Sequence, residues 1–66
     1  MSFYTLVRRE RRVRNGVPYK VEVWRGFQGY VADILPMGSN EPIAKRYAKT
    51  PQRAWQLALN WLESKR

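Results

Sequence analysis

Hydrophobic and polar residues alternate in the second quarter of the chain, and this period of two is typical of a half-buried strand. Over residues 17–25 the odd positions are apolar as far as Val23, whereas Lys20, Glu22 and Trp24 fall on the other face. Residues 3–13 begin with aromatic and β-branched side chains, which favours a strand before it. Asn15-Gly16 joins the two segments and is a strong hairpin signal, so a β-hairpin is predicted here.

Two further strands are predicted after the hairpin. Residues 26–29 form a turn bounded by glycines, and residues 30–36 are mostly apolar and end at a proline, which suits the end of a strand. Residues 37–42 contain Gly, Ser, Asn and Pro and predict a loop. A short fourth strand is expected at residues 43–48.

The last segment predicts one amphipathic helix. Thr50-Pro51 opens it, because threonine is a good N-cap and proline suits the first helical position. Its apolar residues recur at the spacing of one helix face, with Trp55 and Trp61 expected in the core: Ala54, Trp55, Leu57, Ala58, Leu59, Trp61 and Leu62. The elements together predict an α+β fold, β-β-β-(β)-α, in which a three- to four-stranded antiparallel sheet packs against one C-terminal helix. Residues 1–66 are too few for two cores, so we expect a single small basic domain.

The hairpin can pair in two registers, which differ in the length of its loop. A two-residue loop places Arg11 opposite Lys20 and leaves Glu10 opposite a valine. A three-residue loop pairs both acids of the hairpin with basic residues and matches apolar with apolar residues, so we expect this register. It puts Arg9 and Arg11 on the apolar face of the second strand.

Charge changes this picture more than any other property of the chain. Thirteen lysines and arginines face five acidic residues, a formal net charge of +8, and most of the basic residues are arginine. The planar guanidinium fork suits phosphate and carboxylate groups. A charge this high indicates a polyanionic partner, or it simply keeps the protein in solution.

The residue types that are missing narrow the classes of function. There is no cysteine and no histidine, which excludes disulfides and the usual zinc-ligand sets, so we expect no cofactor and no metal. The acids lie in no catalytic motif. Asp33, within an apolar segment, reads either as a general base or as a solvent-facing strand residue, and we expect no enzyme activity.

The same composition bears on location. The first residues lack a basic segment followed by an apolar run, so no signal peptide is expected. The apolar stretches are too short to span a membrane, and we expect no membrane insertion. A chain without cysteine is compatible with a reducing cytosol, and a cytoplasmic location is the expectation.

Five arginines crowd beside the predicted hairpin turn and are the candidate binding residues: Arg8, Arg9, Arg11, Arg12 and Arg14. They read as an electrostatic ribbon on a phosphate backbone, or as a charged edge strand that resists aggregation. Lys20, Trp24 and Arg25 are expected to support them. Trp24 either stacks on a base or a partner's side chain, or packs with Leu6 into a minor cluster.

Two resemblances follow from particular segments. The chain resembles the HicB-like antitoxin domain, whose "GYVA…P" strand, further strand and "T-x-E-E-A" helix opening are similar to Gly29-Tyr30-Val31-Ala32-Asp33-Ile34-Leu35-Pro36 and Thr50-Pro51-Gln52-Arg53-Ala54. This likeness covers roughly residues 19–63 and departs where Gln52-Arg53 replaces the acidic pair. It implies a protein partner. In element order and charge the chain is also similar to sheet-plus-helix nucleic-acid binders such as the arm-binding domains of phage integrases.

The sequence therefore predicts a non-catalytic nucleic-acid-binding module, for DNA or RNA, that uses the arginine-rich hairpin on the phosphate backbone. The alternative is a protein-interaction module, either HicB-like or a small basic subunit that docks on an acidic partner protein. Both are compatible with a homodimer.

Overall fold

Four strands and one helix follow one another along residues 4–64, the part of the chain that the computed structural model describes. The elements are β1 (Thr5–Arg14), β2 (Val17–Arg25), β3 (Tyr30–Pro36), β4 (Ala44–Ala48) and α1 (Pro51–Ser64). The predicted fold class is confirmed, and the fourth strand is present. Phe3, in the predicted first strand, lies outside the described residues.

The strands form one antiparallel sheet in the order β1-β2-β3-β4, so each strand pairs with its neighbour in sequence. The helix packs across one face and contacts all four strands. We call the opposite side, which α1 does not cover, the open face. Because side chains alternate along each strand, the residues of the open face follow from the register: Leu6, Arg9, Arg11, Val13, Pro18, Lys20, Glu22, Trp24, Val31, Asp33, Leu35, Lys45 and Tyr47.

The core lies between the sheet and the helix. Its members are Tyr19, Val21, Val23, Ala32, Ile34, Ala54, Trp55, Ala58 and Leu62. Trp55 is buried as expected, whereas Trp61 is only partly buried against this cluster. The predicted cap is present, since the Thr50 hydroxyl accepts a hydrogen bond from the Arg53 amide at 3.1 Å.

The expected hairpin register is wrong over most of its length. Arg14 lies opposite Val17, so the loop has two residues, and both have positive φ as a type I′ turn requires: 52° at Asn15 and 78° at Gly16. Arg9 and Arg11 therefore lie on the open face and not on the apolar one.

A bulge and a local ion-pair arrangement explain how this register is tolerated. The pairing shifts between Leu6 and Arg8, which brings Leu6 opposite Trp24, as the three-residue loop would also have done. Glu10 needs no basic residue across the ladder, because Arg8 and Arg12 on the same strand both bind its carboxylate.

No helix within residues 4–64 is long and apolar enough to cross a membrane.

Candidate functional site

The five hairpin arginines divide between the two faces of the sheet. Successive side chains of a strand point in opposite directions, so Arg9 and Arg11 lie on the open face. The other three lie on the helix side: Arg8, Arg12 and Arg14. The predicted ribbon is thus two surfaces with different surroundings.

The helix-side arginines bind the body of the protein. The guanidinium carbon of Arg8 lies 3.8 Å from the centroid of the Trp55 ring and that of Arg12 lies 5.6 Å away, both within cation–π range. Arg14 Nη2 donates a hydrogen bond of 2.7 Å to the carbonyl oxygen of Glu63, in the last turn of α1. Terminal helix carbonyls lack partners within the helix, so this contact satisfies one of them and fastens the hairpin to α1.

A row of four charged residues crosses the open face, one from each strand. Arg9 lies opposite Glu22, Glu22 opposite Asp33, and Asp33 opposite Lys45. Arg9 Nε is 2.8 Å from Glu22 Oε2, and Lys45 Nζ is 3.9 Å from Asp33 Oδ1. The two acids occupy the centre of the sheet and the two bases its edges, so the row has no net charge.

Asp33 is the least satisfied member of this row. Its side chain is 16% exposed, and its Oδ1 is buried without a hydrogen-bond partner among the described residues. Burial raises the pKa of Asp33 above its ordinary value, Lys45 lowers it, and neighbouring Glu22 raises it further. Glu22, by contrast, accepts hydrogen bonds from Arg9 and from Trp24 Nε1.

Positive charge without a counter-charge is found toward the hairpin turn. Arg11 and Lys20 lie directly opposite each other on the open face. Neither side chain forms an ion pair or hydrogen bond with another residue in the described part of the chain. Like charges directly opposite destabilise a sheet, so this pair is arranged at a cost to stability.

The other end of the open face is aromatic. Leu6, Trp24, Val31 and Tyr47 form a cross-strand row beside the charged one. A groove of about 290 Å³ lies here, which we call the aromatic groove. It is lined by Tyr4, Trp24, Val31, Asp33, Lys45 and Tyr47. Trp24 is half-buried opposite Leu6 and also faces the groove. Stacking of Trp24 on a base or on a partner's side chain stays a prediction.

A second hollow of about 400 Å³ adjoins the aromatic groove at the β2–β3 turn and shares Tyr4, Val31 and Tyr47 with it. Phe27 at this turn is 86% exposed. The Tyr4 ring rests on Gly26, where an added Cβ would lie 2.8 Å from Tyr4 Cε1. Arg25, the remaining predicted binding residue, is exposed at the end of β2 on the side opposite Trp24.

Sequence reasoning missed Tyr47, Tyr4 and the pairing of Asp33 with Lys45. The alternation of Lys45 and Tyr47 in β4 repeats that of Asp33 and Val31 in β3. That repeat was the available signal, although it predicts a shared face only once the β3–β4 register is known.

No protein-family model, curated protein or solved structure matches this chain.

Proposed function

We propose that the protein binds nucleic acid, with the open face of the β1–β2 hairpin against the phosphate backbone. The observation that supports this most directly is the opposed pair Arg11 and Lys20, which has no acidic partner in the described residues. A phosphate between the two side chains would convert their repulsion into two charge-assisted contacts.

Arg9 extends this cationic patch along β1. It uses Nε toward Glu22, and its side chain remains 54% exposed. A guanidinium has five N–H donors, so the outer nitrogens of Arg9 can donate to a phosphate oxygen without breaking the ion pair. We define the phosphate patch as Arg9, Arg11 and Lys20.

The helix-side arginines have a smaller part in this proposal. Arg8 and Arg12 are about half exposed, at 48% and 42% for their side chains, but both contact Glu10 and Trp55. A phosphate would have to compete with these contacts. We therefore expect them to stabilise the hairpin and to add only weakly to binding.

Binding to a protein is the second candidate, and the exposed aromatic residues favour it. Phe27 is 86% and Tyr47 70% exposed, and large aromatic side chains are common anchors of protein interfaces. An acidic partner protein would be attracted by the same cations, whether the chain is HicB-like or a small basic subunit. A cytoplasmic location and the absence of catalysis stay predictions under either function.

The test is a fluorescence-anisotropy titration of labelled single-stranded and duplex DNA and RNA at several salt concentrations. We expect Arg11→Ala/Lys20→Ala to weaken binding to all nucleic acids and to make it less dependent on salt. Each phosphate contact that is lost lowers the slope of log K against log salt by about 0.7 to 0.9.

The matched control is Arg46→Ala/Arg53→Ala, which removes the same charge from the helix side. Arg46 lies opposite core residue Ala32, and Arg53 is exposed on α1. Equal losses in the two double variants would mean that only the net charge matters. No binding to any nucleic acid near physiological salt would reject the proposal, and a salt-insensitive interaction with an acidic protein would favour the alternative.

A further inference from the structure

The aromatic groove combines apolar walls with a carboxylate that lacks a hydrogen-bond donor. Trp24 and Tyr47 belong to the apolar cross-strand row, and Asp33 and Lys45 belong to the charged row next to it. The groove of about 290 Å³ is open along the sheet and is many times larger than a single water requires. Its shape and chemistry suit a flat ligand with a polar edge.

Asp33 determines which polar groups a ligand in the aromatic groove must present. Its buried Oδ1 has no hydrogen-bond partner among residues 4–64, and Lys45 Nζ at 3.9 Å is beyond hydrogen-bond distance. An ionised carboxylate only accepts hydrogen bonds. The missing partner is therefore a donor. Because Oδ1 is closed to solvent, a ligand in the groove supplies this donor once the Asp33 carboxylate turns toward the groove.

The phosphate patch identifies the source of the ligand. Lys20 and Trp24 are four residues apart on β2, or about 13 Å at 3.3 Å per residue. A nucleic-acid strand whose phosphates contact Arg11 and Lys20 thus has a base within reach of the groove a short distance along the chain. Aromatic side chains beside a cationic track are the usual arrangement for binding single strands, because every base can stack on a ring.

We propose that the aromatic groove binds one unpaired guanine of a single-stranded nucleic acid, stacked against Trp24 and Tyr47 with its N–H donors directed at Asp33. This inference rests on the proposed function and specifies its ligand. Guanine presents two neighbouring donors on its Watson–Crick edge, the ring N1–H and the exocyclic amino group, which match the two oxygens of a carboxylate. In a duplex that edge is paired and the ring is stacked, so the groove selects single strands.

The other bases fit the groove less well. Thymine and uracil present one ring N–H between two carbonyl oxygens, which an ionised Asp33 repels. Adenine and cytosine offer one amino group beside an unprotonated ring nitrogen. Lys45 remains able to donate to a carbonyl oxygen of the base, since its side chain is 52% exposed.

The experiment compares four probes by anisotropy: oligo-dT, oligo-dT with one central dG, the same strand with dI in place of dG, and a duplex. We expect about tenfold tighter binding for the dG strand than for oligo-dT, which is the size of one good bidentate base contact. Inosine lacks the exocyclic amino group, and the dI strand should bind with intermediate affinity.

Two variants connect the preference to the groove. Asp33→Asn should abolish most of the difference between dG and dT, because it removes both the acceptor for the guanine N–H groups and the repulsion of the thymine carbonyl oxygens. Tyr47→Ala should weaken all single strands about tenfold and leave duplex binding unchanged, in line with the loss of one stacked base. Tyr47 is 70% exposed, so this variant should fold.

The failures can be told apart. Equal affinity for dG and dT strands, or a preference that survives Asp33→Asn, overturns the guanine site but leaves phosphate binding intact. Arg11→Ala/Lys20→Ala should lower the affinity for all four probes by the same factor. Absence of binding to every probe overturns both proposals.

Discussion

Two guanidinium groups share one indole, since Arg8 and, at a longer distance, Arg12 both lie over the Trp55 ring. Trp55 is 6% exposed and belongs to the core, so these contacts join the edge strand β1 to the centre of the molecule. Arg8 and Arg12 thus cover the Trp55 ring, a role that apolar side chains could also fill.

We expect Arg8→Ala to lower the free energy of unfolding by about 0.5–1 kcal/mol, the range for a cation–π contact at an exposed site. Urea denaturation measures it. Arg11→Ala is the control on the same strand, and it should be neutral or stabilising because it removes the repulsion with Lys20. Equal destabilisation by both variants would show that the Trp55 contact contributes nothing specific.

Asp33 makes stability depend on pH. Burial raises its pKa in the folded state above the ordinary 3.8, with Lys45 of β4 opposing and Glu22 of β2 adding to the shift. The folded protein then holds this proton more tightly than the unfolded chain. The contribution of Asp33 to stability is therefore present below its unfolded pKa and is lost as the pH rises through the folded pKa.

It follows that Asp33→Asn should be at least as stable as the wild type at neutral pH, and that its advantage should vanish below pH 3.8. Urea denaturation at the two pH values measures the difference. A variant that is less stable at neutral pH would mean that the pairing with Lys45 outweighs the desolvation of the carboxylate.

At the scale of elements, the turn between β2 and β3 depends on Gly29, where a larger residue does not fit. Its φ is +148°, and an added Cβ would lie 2.9 Å from the carbonyl oxygen of Ala48 in β4. We expect Gly29→Ala to destabilise the fold by about 1–3 kcal/mol, since strained backbone and a backbone clash combine.

Gly16→Ala is the matched control, measured in the same denaturation experiment. Gly16 also has positive φ, +78°, but no atom lies within 4 Å of an added Cβ. It should lose only the conformational part, about 1 kcal/mol. If the two variants lost equal stability, the contact with Ala48 would be unimportant.

The helix and the two central strands could be predicted from the sequence because each has a clear periodicity and clear end signals. Val17–Arg25 alternates, Tyr30–Pro36 is mostly apolar, and Thr50-Pro51 opens the helix. The hairpin register could not be predicted from charge. The predicted register assumed that Glu10 pairs with a basic residue on the opposite strand. In the structure, Arg8 and Arg12 bind Glu10 from its own strand.

The candidate site was predicted only in part for the same reason. The residues around the turn could be named, but their division between faces depends on the register. The bulge between Leu6 and Arg8 has no signal in the sequence, yet it brings Leu6 opposite Trp24. Predicting the charged row requires the correct register of all three strand pairs. Asp33 could therefore not be recognised as buried beside Lys45 and Glu22.

For the whole molecule, a net charge of +8 acts in opposite directions on folding and on the proposed binding of nucleic acid. Self-repulsion destabilises the compact state, and salt screens it. We expect the melting temperature to rise between about 50 and 200 mM salt, the range over which nucleic-acid binding weakens steeply. Scanning calorimetry and anisotropy in the same buffers measure the two effects.

Arg46→Ala/Arg53→Ala lowers the net charge and should show a smaller rise in melting temperature. A melting temperature that falls with added salt would contradict the expectation. It would mean that the ion pairs of Glu10, Glu22 and Asp33 contribute more to stability than the overall repulsion removes.

The two-residue turn at Asn15 and Gly16 decides which arginines of β1 lie on the open face. Between that turn and the bulge, β1 contains the doublets Arg8-Arg9 and Arg11-Arg12, one member of each pointing to either face. One residue inserted in the turn would exchange the faces of the two members of each doublet. Arg9 and Arg11 would then lie on the side of Trp55 in place of Arg8 and Arg12. The same insertion would bring Glu10 opposite Lys20, so the length of the turn decides whether the open face contains an opposed pair of cations or an ion pair.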